Sequence, residues 1–482
     1  MSTVSIKKAT LINAVSKYGK VLMNLVFTAV LSRLLSPNDY GVVAIVTVFT
    51  SFFNILADMG LGSAVVQNKE LTDDEVNDIF SYSCYQGIML AVFFCILSVP
   101  ISFFYKNKVY LSICSILSVS VLFNTLNMIP NAVLMKNKKF VTVAIRNIIS
   151  TLVTGGVTIL LAFIGFKYYA LVLQSVTSAF ILFLWNMKSV NLKFHLKYNK
   201  LSIKKVMGFS TYQFGYNLVN YFSRNTDNLL IGKLMGNESL AYYSKGYTLM
   251  LYPVQNLTFV ISPVLHPILS DHQNDKNYIY NKYIKVTKLL SLLGVFVSAF
   301  CFFSSREIVL IVFGNQWEAS VLSFRILSIS VWSQMVSSTA GSVFQSLGKT
   351  KLMFNSGIIQ MIVTVSMIII GCLFGKIEYV AFFVTFGLIA KFFIEFFFLI
   401  KKAFEFKFTY FLKNFLPDLL IFVVLIAVSV PGIYYINISN IVISALVKLA
   451  IISVVYIIML LILKQTNYLF VILPKKLRKH KV

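Results

Sequence analysis

Two stripes of polar and charged side chains interrupt an otherwise apolar chain. The first stripe, spaced at intervals of three or four residues, consists of Thr10, Asn13, Lys17, Lys20 and Asn24. The second has the same spacing and consists of Ser210, Gln213, Asn217, Asn220, Arg224 and Asp227. Residues at these intervals lie on one face of an α-helix. Each stripe therefore predicts a helix with one cationic, hydrogen-bonding face that could accept an anion.

The rest of the chain indicates the environment of these helices. Of its 482 residues, 58% are hydrophobic and only 12% are charged, and the mean hydropathy is +0.80. This composition is typical of an integral membrane protein. A membrane-spanning helix uses about 20 apolar residues, so the chain has room for roughly fourteen spans.

The apolar runs of the sequence predict fourteen such helices. In the first half they predict helices at Thr10–Leu35, Tyr40–Val66, Asp78–Phe104, Val109–Leu134, Phe140–Ile164 and Tyr168–Met187. In the second half they predict Met207–Leu234, Leu240–Leu269, Tyr280–Ser304, Ala319–Leu347, Leu352–Phe374, Tyr379–Ile400, Leu419–Tyr435 and Ile441–Leu463. β-barrel strands would be shorter and would alternate polar with apolar residues, which excludes that architecture.

The two stripes also indicate an internal duplication. An offset of 200 residues lays Ser210 over Thr10 and Arg224 over Asn24, and the turns after the two helices match as well. A repeat of six helices predicts two lobes related by an axis along the membrane normal, with a central cavity between them. We therefore predict an all-α integral membrane fold with these parts: an N-terminal six-helix lobe (1–188), a basic cytoplasmic connector (189–206), a C-terminal six-helix lobe (207–401), two additional helices (402–464) and a basic cytoplasmic tail (465–482).

The net charge of +26 orients this chain. With the amino terminus in the cytoplasm, about 27 Lys and Arg fall in cytoplasmic segments and about 7 outside, as the positive-inside rule expects. We predict that both termini are cytoplasmic and that the protein lies in a bacterial inner membrane. Nucleic acid is not expected as a partner, because the sequence offers no folded soluble surface for a basic patch.

Charged residues inside the predicted spans require an explanation, because each raises the free energy of membrane insertion by roughly 2.5–3.5 kcal/mol at the centre of a helix. The nine embedded cations are Lys17, Lys20, Arg146, Arg224, Lys245, Lys288, Arg325, Lys391 and Lys448, against the acids Asp58, Asp227 and Glu395. One interpretation is a hydrated cationic cavity for an anion such as phosphate. The alternatives are snorkelling of Lys17, a local ion pair of Arg224 with Asp227, and mutual neutralisation of Lys391 and Glu395.

No motif in the chain predicts catalysis, a metal or a cofactor. Gly348-Lys349-Thr350 lacks the first glycine of a phosphate-binding loop, because Val343 takes its place. The five cysteines fall in apolar segments without CxxC spacing, and the four histidines, His195, His266, His272 and His480, are scattered. We therefore predict that the protein is not an enzyme.

Two segments carry the most specific sequence patterns of the chain. The first is Leu31-Ser32-Arg33-Leu34-Leu35-Ser36-Pro37-Asn38-Asp39-Tyr40-Gly41 with Asp58-Met59-Gly60-Leu61-Gly62-Ser63-Ala64. The second, more specific segment is Ser223-Arg224-Asn225-Thr226-Asp227-Asn228-Leu229-Leu230-Ile231-Gly232, followed by Ala241-Tyr242-Tyr243-Ser244 and Tyr252-Pro253. Both segments resemble Wzx-type bacterial polysaccharide transporters of the multidrug/oligosaccharidyl-lipid/polysaccharide (MOP) superfamily, and the resemblance covers about Thr10 to Ile400.

This resemblance implies a flippase that works by alternating access. Its implied substrate is a polyprenyl-diphosphate-linked oligosaccharide, moved from the cytoplasmic to the periplasmic leaflet for capsule, exopolysaccharide or O-antigen (lipopolysaccharide) synthesis. The candidate substrate-binding residues are Lys17, Lys20, Asn24, Asn217, Asn220 and Arg224, and the candidates for energy coupling are Asp58, Asp227 and Glu395. Membrane lipids are expected partners, and a polysaccharide polymerase and glycosyltransferases are candidate partners.

Two other functions stay open at this point. A multidrug or cation antiporter of the same superfamily typically has twelve helices and an acidic site, whereas this chain predicts fourteen helices and an excess of cations. A membrane glycan polymerase or ligase usually carries a long periplasmic loop, whereas the longest one here is about Ser304 to Glu318.

Overall fold

The computed structural model describes residues 6–68, 70–207, 211–258, 275–435 and 438–469, with side chains left out at 6–16, 207, 211–213 and 429–435. All regular secondary structure in these residues is helical, which confirms the predicted all-α class. Some predictions fall outside the description. They concern Lys69, His266, His272, the tail beyond Leu469, the end of the helix predicted to reach Leu269, and the side chains of Thr10, Asn13, Ser210 and Gln213.

The first half of the chain forms seven helices up to the connector. They are α1 (Ile6–Leu34), α2 (Pro37–Asp58), α3 (Leu61–Gln67), α4 (Asp73–Tyr105), α5 (Val109–Lys136), α6 (Phe140–Phe163) and α7 (Tyr168–Ser189). Most of these bounds lie within a few residues of the predicted ones. Apolar runs of this length between turn residues leave little freedom in where a helix starts and stops.

The remaining helices include several short ones. They are α8 (Lys200–Met207), α9 (Thr211–Leu234), α10 (Gly236–Thr258), α11 (Lys276–Phe303), α12 (Ser305–Val312), α13 (Ser320–Ser328), α14 (Val331–Ser337), α15 (Ala340–Ser346), α16 (Thr350–Leu373), α17 (Ile377–Phe396), α18 (Phe408–Lys413), α19 (Leu416–Tyr435), α20 (Ile441–Ile462) and α21 (Thr466–Leu469). A π-helical segment, Phe397–Ala403, continues α17.

Ten helices within the described residues are long and apolar enough to cross a membrane. The predicted spans without a match among these ten correspond to α1, α9, α10 and the segment from α13 to α15. Stripes of polar residues lower the hydropathy of α1 and α9, and the last segment is broken into short pieces. A multi-pass membrane protein is therefore established, while the number fourteen stays a prediction.

The prediction of one helix from Ala319 to Leu347 is wrong, because serines break it into three. The hydroxyls of Ser330 and Ser338 donate to the carbonyls of Leu327 and Met335, both at 2.7 Å. The backbone N–H groups of the same two serines also bond three residues back and not four. Serine hydroxyls that compete for backbone carbonyls in this way tighten and interrupt a helix.

Acidic residues around position 73 have a local structural role. The Thr72 hydroxyl accepts from the Glu75 N–H at 3.3 Å, and the Glu75 carboxylate accepts from the Thr72 N–H at 3.0 Å. This capping box, with Asp73 and Asp74 in the first turn, starts α4. Carboxylates near a helix amino terminus are stabilised by its dipole. The cap explains why this loop is acidic although most loops predicted on the same side are basic.

The basic connector is bound to the start of α4. Asp78 accepts from the Ser202 hydroxyl at 2.9 Å and lies 3.1 Å from Nδ1 of His195. The Lys193 N–H donates to the side-chain oxygen of Asn77 at 2.9 Å. The connector is therefore bound by hydrogen bonds to α4, the helix that begins at the capping box.

The chain forms two compact units. One comprises Met1–Tyr221 and Ile231–Ala241, and the other comprises Phe222–Leu230 and Tyr242–Val482. In the first unit, α3, α4 and α5 share an apolar core. In the second, α11 packs against α19 and α20 around Leu292, Ile421 and Ile452. The predicted boundaries at 188 and 207 stay predictions.

Helix bounds repeat at the offset of 200 residues seen in the sequence and, further along the chain, at an offset of 210. Helix α1 ends at Leu34 and α9 at Leu234, an offset of 200 residues. Helix α6 begins at Phe140 and α16 at Thr350, an offset of 210. These bounds are what an internal duplication would produce, and the symmetric arrangement of two lobes stays a prediction.

Candidate functional site

Two cations in the first unit lie within electrostatic range of each other. Lys20 on α1 and Arg146 on α6 are close enough for their charges to interact. The two helices pack closely where the ring of Phe27 lies over Gly155, so close that a Cβ at that glycine would come within 2.4 Å of the ring. The Lys20 side chain itself is exposed. Like charges repel, so this arrangement favours binding of an anion that would screen them.

Arg146 is held by neutral amides. Its side chain is buried, with 5% of the residue exposed. The side-chain oxygen of Asn147 accepts from Nε at 3.2 Å and from Nη2 at 2.8 Å, and that of Asn131 accepts from Nη1 at 3.2 Å. Asn186 also accepts from Nη1 and in turn donates to Asn127 at 2.6 Å. Among the described residues no carboxylate lies within 4.0 Å of this guanidinium.

From the sequence, Arg146 was predicted only as an embedded charge, and its cluster of amides was not predicted. Amides compensate a guanidinium through hydrogen bonds but leave its charge intact, and four such bonds use fewer than its five N–H donors. A signal was present in the sequence. Asn127 and Asn131 are one helical turn apart in an apolar run, and Asn147 directly follows Arg146.

The other predicted residues of the first unit lie on α1, α2 and α9. Lys17 is half-buried and Asn24 is exposed, one turn before and one turn after Lys20. Asp58 is exposed at the last turn of α2 and lines a cavity. In α9, Asn217 is exposed and Asn220 is half-buried.

In the second unit, Arg224 belongs to a group of three charges. Helix α9 carries Arg224, and α17 carries Lys391 and Glu395 one turn apart. The charges of Lys391 and Glu395 interact, and the Arg224 charge interacts with both. The Arg224 side chain is exposed, whereas Glu395 is buried. The three groups together carry one net positive charge when all are ionised.

Asp227 is bound by a tyrosine and not by Arg224. Only 2% of Asp227 is exposed. Its Oδ2 accepts from the Tyr243 hydroxyl at 2.8 Å, and its Oδ1 accepts from the Asn228 N–H at 2.8 Å. No ion pair joins it to Arg224 within 4.0 Å in the part of the chain described. The alternative that explained Arg224 by a local ion pair is therefore not supported.

Two of the nine embedded cations are neutralised by acids that the sequence analysis had not counted. Lys288 on α11 lies 2.5 Å from the Asp418 carboxylate, and Lys448 on α20 lies 2.5 Å from the Glu307 carboxylate. Both pairs are buried. The ratio of nine cations to three acids therefore becomes nine to five, because Asp418 was placed before a predicted span and Glu307 in a loop.

A third embedded cation rests on aromatic rings. The Nζ of Lys245 lies 4.6 Å from the ring centre of Phe313 and 4.9 Å from that of Trp317. Such cation–π contacts stabilise a buried ammonium. Lys245 therefore has a structural environment of its own.

Comparison with known proteins identifies the family. The model of the polysaccharide biosynthesis protein family matches residues 30–322. The teichuronic acid biosynthesis protein TuaB of Bacillus subtilis (strain 168) is 25% identical over 315 residues, which cover 64% of this chain and 65% of TuaB, just under two thirds of its length. The lipopolysaccharide biosynthesis protein WzxC of Escherichia coli (strain K12) is 20% identical over 374 residues, which cover 72% of this chain and 71% of WzxC.

A solved structure agrees in fold. The lipid II flippase MurJ in an inward closed conformation matches with a TM-score of 0.75 and 16% identity, over 95% of this chain and 99% of that one. The predicted resemblance to Wzx-type transporters of the MOP superfamily is thereby confirmed. The chain belongs to the polysaccharide biosynthesis protein family, and it is a multi-pass membrane protein whose fold resembles that of the MurJ flippase.

Proposed function

We propose that this protein moves a polyprenyl-diphosphate-linked oligosaccharide from the cytoplasmic leaflet of a bacterial membrane to the opposite leaflet. The observation that carries the proposal is the pair formed by Lys20 and Arg146. These two cations interact within the first unit and have no carboxylate partner among the described residues. The family is described as one of polysaccharide biosynthesis, a process in which a lipid-linked oligosaccharide would be an intermediate.

The chemistry of a diphosphate fits this pair. The amides leave one N–H donor of the Arg146 guanidinium for a charge-assisted hydrogen bond to a phosphate oxygen, and the Lys20 ammonium adds a compact charge. Arg146 is fixed in position by Asn131, Asn147 and Asn186, so it loses little freedom when an anion binds. Asn24, one turn beyond Lys20, is an additional donor for the same anion.

The depth of Lys20 supports a hydrated path. At 1.5 Å per residue, Lys20 lies about 20 Å along α1 from its first residue, Ile6. An exposed cation well inside a span is rarely tolerated against lipid and usually faces water or protein. We therefore propose that the exposed side of Lys20 faces the substrate path, together with Lys17.

Arg224 is the proposed phosphate ligand of the second unit. Its exposed guanidinium is next to Lys391, and Glu395 offsets one of the two positive charges. This balance would limit how tightly the anion is held, so that it can be released after transport. Asn217 and Asn220, on the preceding turns of α9, remain proposed polar ligands.

Alternating access, and the coupling that drives it, are part of the same proposal. Asp227 and Glu395 are buried carboxylates, and Asp227 is bound to Tyr243. Asp58, in contrast, is exposed. We therefore keep Asp227 and Glu395 as the candidates for coupling and propose a different role for Asp58 below.

The test uses the full-length chain in liposomes with a fluorescent short-chain polyprenyl diphosphate that carries one hexose. A membrane-impermeant reductant that bleaches the outer leaflet measures the rate of flipping. The variants are Lys20→Gln, Arg146→Lys and, as a matched control, Lys204→Gln on the exposed side of α8. Lys20 is exposed, so its variant should insert normally even if the Arg146 variant does not.

We expect the wild type to flip the probe faster than protein-free liposomes. Lys20→Gln should slow the rate at least tenfold, Arg146→Lys should keep part of it, and Lys204→Gln should leave it unchanged. A wild type no faster than empty liposomes, or a Lys20→Gln variant as fast as the wild type, would overturn the proposal. Uptake of a fluorescent organic cation in its place would indicate the antiporter function.

A further inference from the structure

A cavity opens in the first unit at the junction of α2, α3 and α5. Its volume is about 370 Å³, which lies within the usual range for small-molecule sites. Four polar side chains line it, namely Asp58, Ser63, Gln67 and Asn131. The apolar part of the wall includes Met128 and Met135.

The backbone is bent to present Asp58 to this cavity. Met59 and Gly60, which join α2 to α3, have φ angles of +35° and +82°. Two successive left-handed residues turn the chain sharply, and the conformation is unfavourable for a methionine. Gly62 leaves room over the carboxylate, because a Cβ there would lie 3.3 Å from the Asp58 Oδ1.

Asn131 connects the cavity to the proposed anion site. Its side-chain oxygen accepts from Nη1 of Arg146 at 3.2 Å, and the same residue lines the cavity. Arg146 itself is buried and does not line the cavity, so the two sites adjoin through the side chain of Asn131. Among the described residues that line the cavity, Asp58 carries a negative charge and none is a Lys or Arg, so the Asp58 carboxylate would repel a second anionic group.

The wall has the chemistry of a carbohydrate site. A carboxylate accepts charge-assisted hydrogen bonds from hydroxyls, and the amides of Gln67 and Asn131 supply both donors and acceptors. Methionine side chains are flexible and apolar, which suits the C–H face of a sugar ring. Neutral, hydroxyl-rich ligands satisfy this mixture better than phosphate or a hydrocarbon chain does.

We propose that this cavity binds the sugar residue next to the diphosphate, with Asp58 as the acceptor for its hydroxyl groups. The inference rests on the proposed function, because it assumes that Arg146 and Lys20 hold the diphosphate. Asp58 thereby becomes a determinant of specificity and not a coupling residue. The first unit thereby recognises the substrate through the sugar that is attached to the diphosphate.

The experiment measures equilibrium binding to the purified full-length chain in nanodiscs. The probes are a short-chain polyprenyl diphosphate and the same lipid with one glucose, galactose or N-acetylglucosamine on its terminal phosphate. The variants are Asp58→Asn and Ser63→Leu, which fills the cavity from an exposed position. The control is Asp74→Asn, which removes an exposed carboxylate in the first turn of α4, outside the cavity.

We expect the wild type to bind at least one glycosylated probe about tenfold more tightly than the bare diphosphate. Asp58→Asn and Ser63→Leu should remove most of that preference. Neither should weaken binding of the bare lipid, and Asp74→Asn should change nothing.

The outcomes separate this inference from the proposed function. If the wild type does not bind the bare diphosphate, the proposed function fails and the inference with it. If the bare lipid binds but no sugar improves binding, or Asp58→Asn weakens all probes equally, only the sugar site is overturned. If Asp58→Asn keeps the sugar preference but loses flipping in the liposome assay, Asp58 has a coupling role and the sugar site is also overturned.

Discussion

The buried pair of Lys288 and Asp418 should be one of the most sensitive points of the second unit. The two side chains are only 4% and 1% exposed, and Nζ lies 2.5 Å from the carboxylate. The Ser291 hydroxyl donates to the other carboxylate oxygen at 2.5 Å, and Lys288 also donates to the Asn414 carbonyl at 2.6 Å. The pair joins α11 to the start of α19, and so fixes the additional C-terminal helices to the unit.

Removing one charge of such a pair leaves the other buried without compensation, which typically costs about 3–5 kcal/mol. Asp418→Asn keeps the shape and an acceptor for Ser291, and Lys288→Met keeps the length of the side chain. We expect each single variant to lower the free energy of unfolding by about 3–5 kcal/mol. The double variant buries no charge, so it should recover most of that loss.

Unfolding by sodium dodecyl sulfate in mixed micelles, followed by tryptophan fluorescence, measures these values. Trp332 is a local reporter, because its Nε1 donates to the Ser291 hydroxyl at 2.7 Å. The matched control is Lys276 with Glu405, a pair at the start of the same helix with 38% and 69% exposure. Its single variants, Lys276→Met and Glu405→Gln, should cost less than about 1 kcal/mol. Losses at Lys288 and Asp418 as small as those of the control would refute the reasoning.

Three further predictions concern the site, the packing and the topology. Arg224→Ala should slow flipping at least tenfold while the protein level stays normal. Adding Asp227→Ala should not restore the flipping rate, because Asp227 binds Tyr243 and not Arg224. A fully active double variant would contradict this. Gly41→Ala should lower the free energy of unfolding by about 1–3 kcal/mol or more, because its Cβ would lie 1.9 Å from the Asn237 carbonyl oxygen. Gly156→Ala is the control: a Cβ there would meet nothing within 4 Å, so the thermal midpoint should stay the same or rise. Reporter fusions after Lys204 and at the carboxyl terminus should both read cytoplasmic, and a reading from the other side at either place would overturn the predicted orientation.

The sequence predicted most helices well because the physical signal is local. An apolar run of about 20 residues between turn residues specifies a span without knowledge of the fold. The predicted helix from Val109 to Leu134 is thus α5, Val109–Lys136, and the predicted helix from Phe140 to Ile164 is α6, Phe140–Phe163. The segment from α13 to α15 failed because its serines compete for backbone bonds, which hydropathy does not register.

Partners of the embedded charges were beyond prediction because they lie far away in sequence. Asp418 is 130 residues from Lys288, and Glu307 is 141 residues from Lys448. Periodicity within one helix cannot identify such pairs. The local stripe did identify Lys20 and Arg224, but the amides around Arg146 come from three helices and were not recognised as a cluster.

An embedded cation therefore indicates a site only when its counter-charge is known. Lys288 and Lys448 each face a carboxylate at 2.5 Å, so they hold helices together and have no charge left for a substrate. Arg146 is held as firmly, but by amides that leave its charge intact, and Lys20 adds a second charge beside it. Keeping two like charges together in a membrane protein is unfavourable unless an anion compensates for it. The absence of a carboxylate around these two groups, within the described residues, is for that reason a stronger argument for a phosphate site than the net charge of the whole chain.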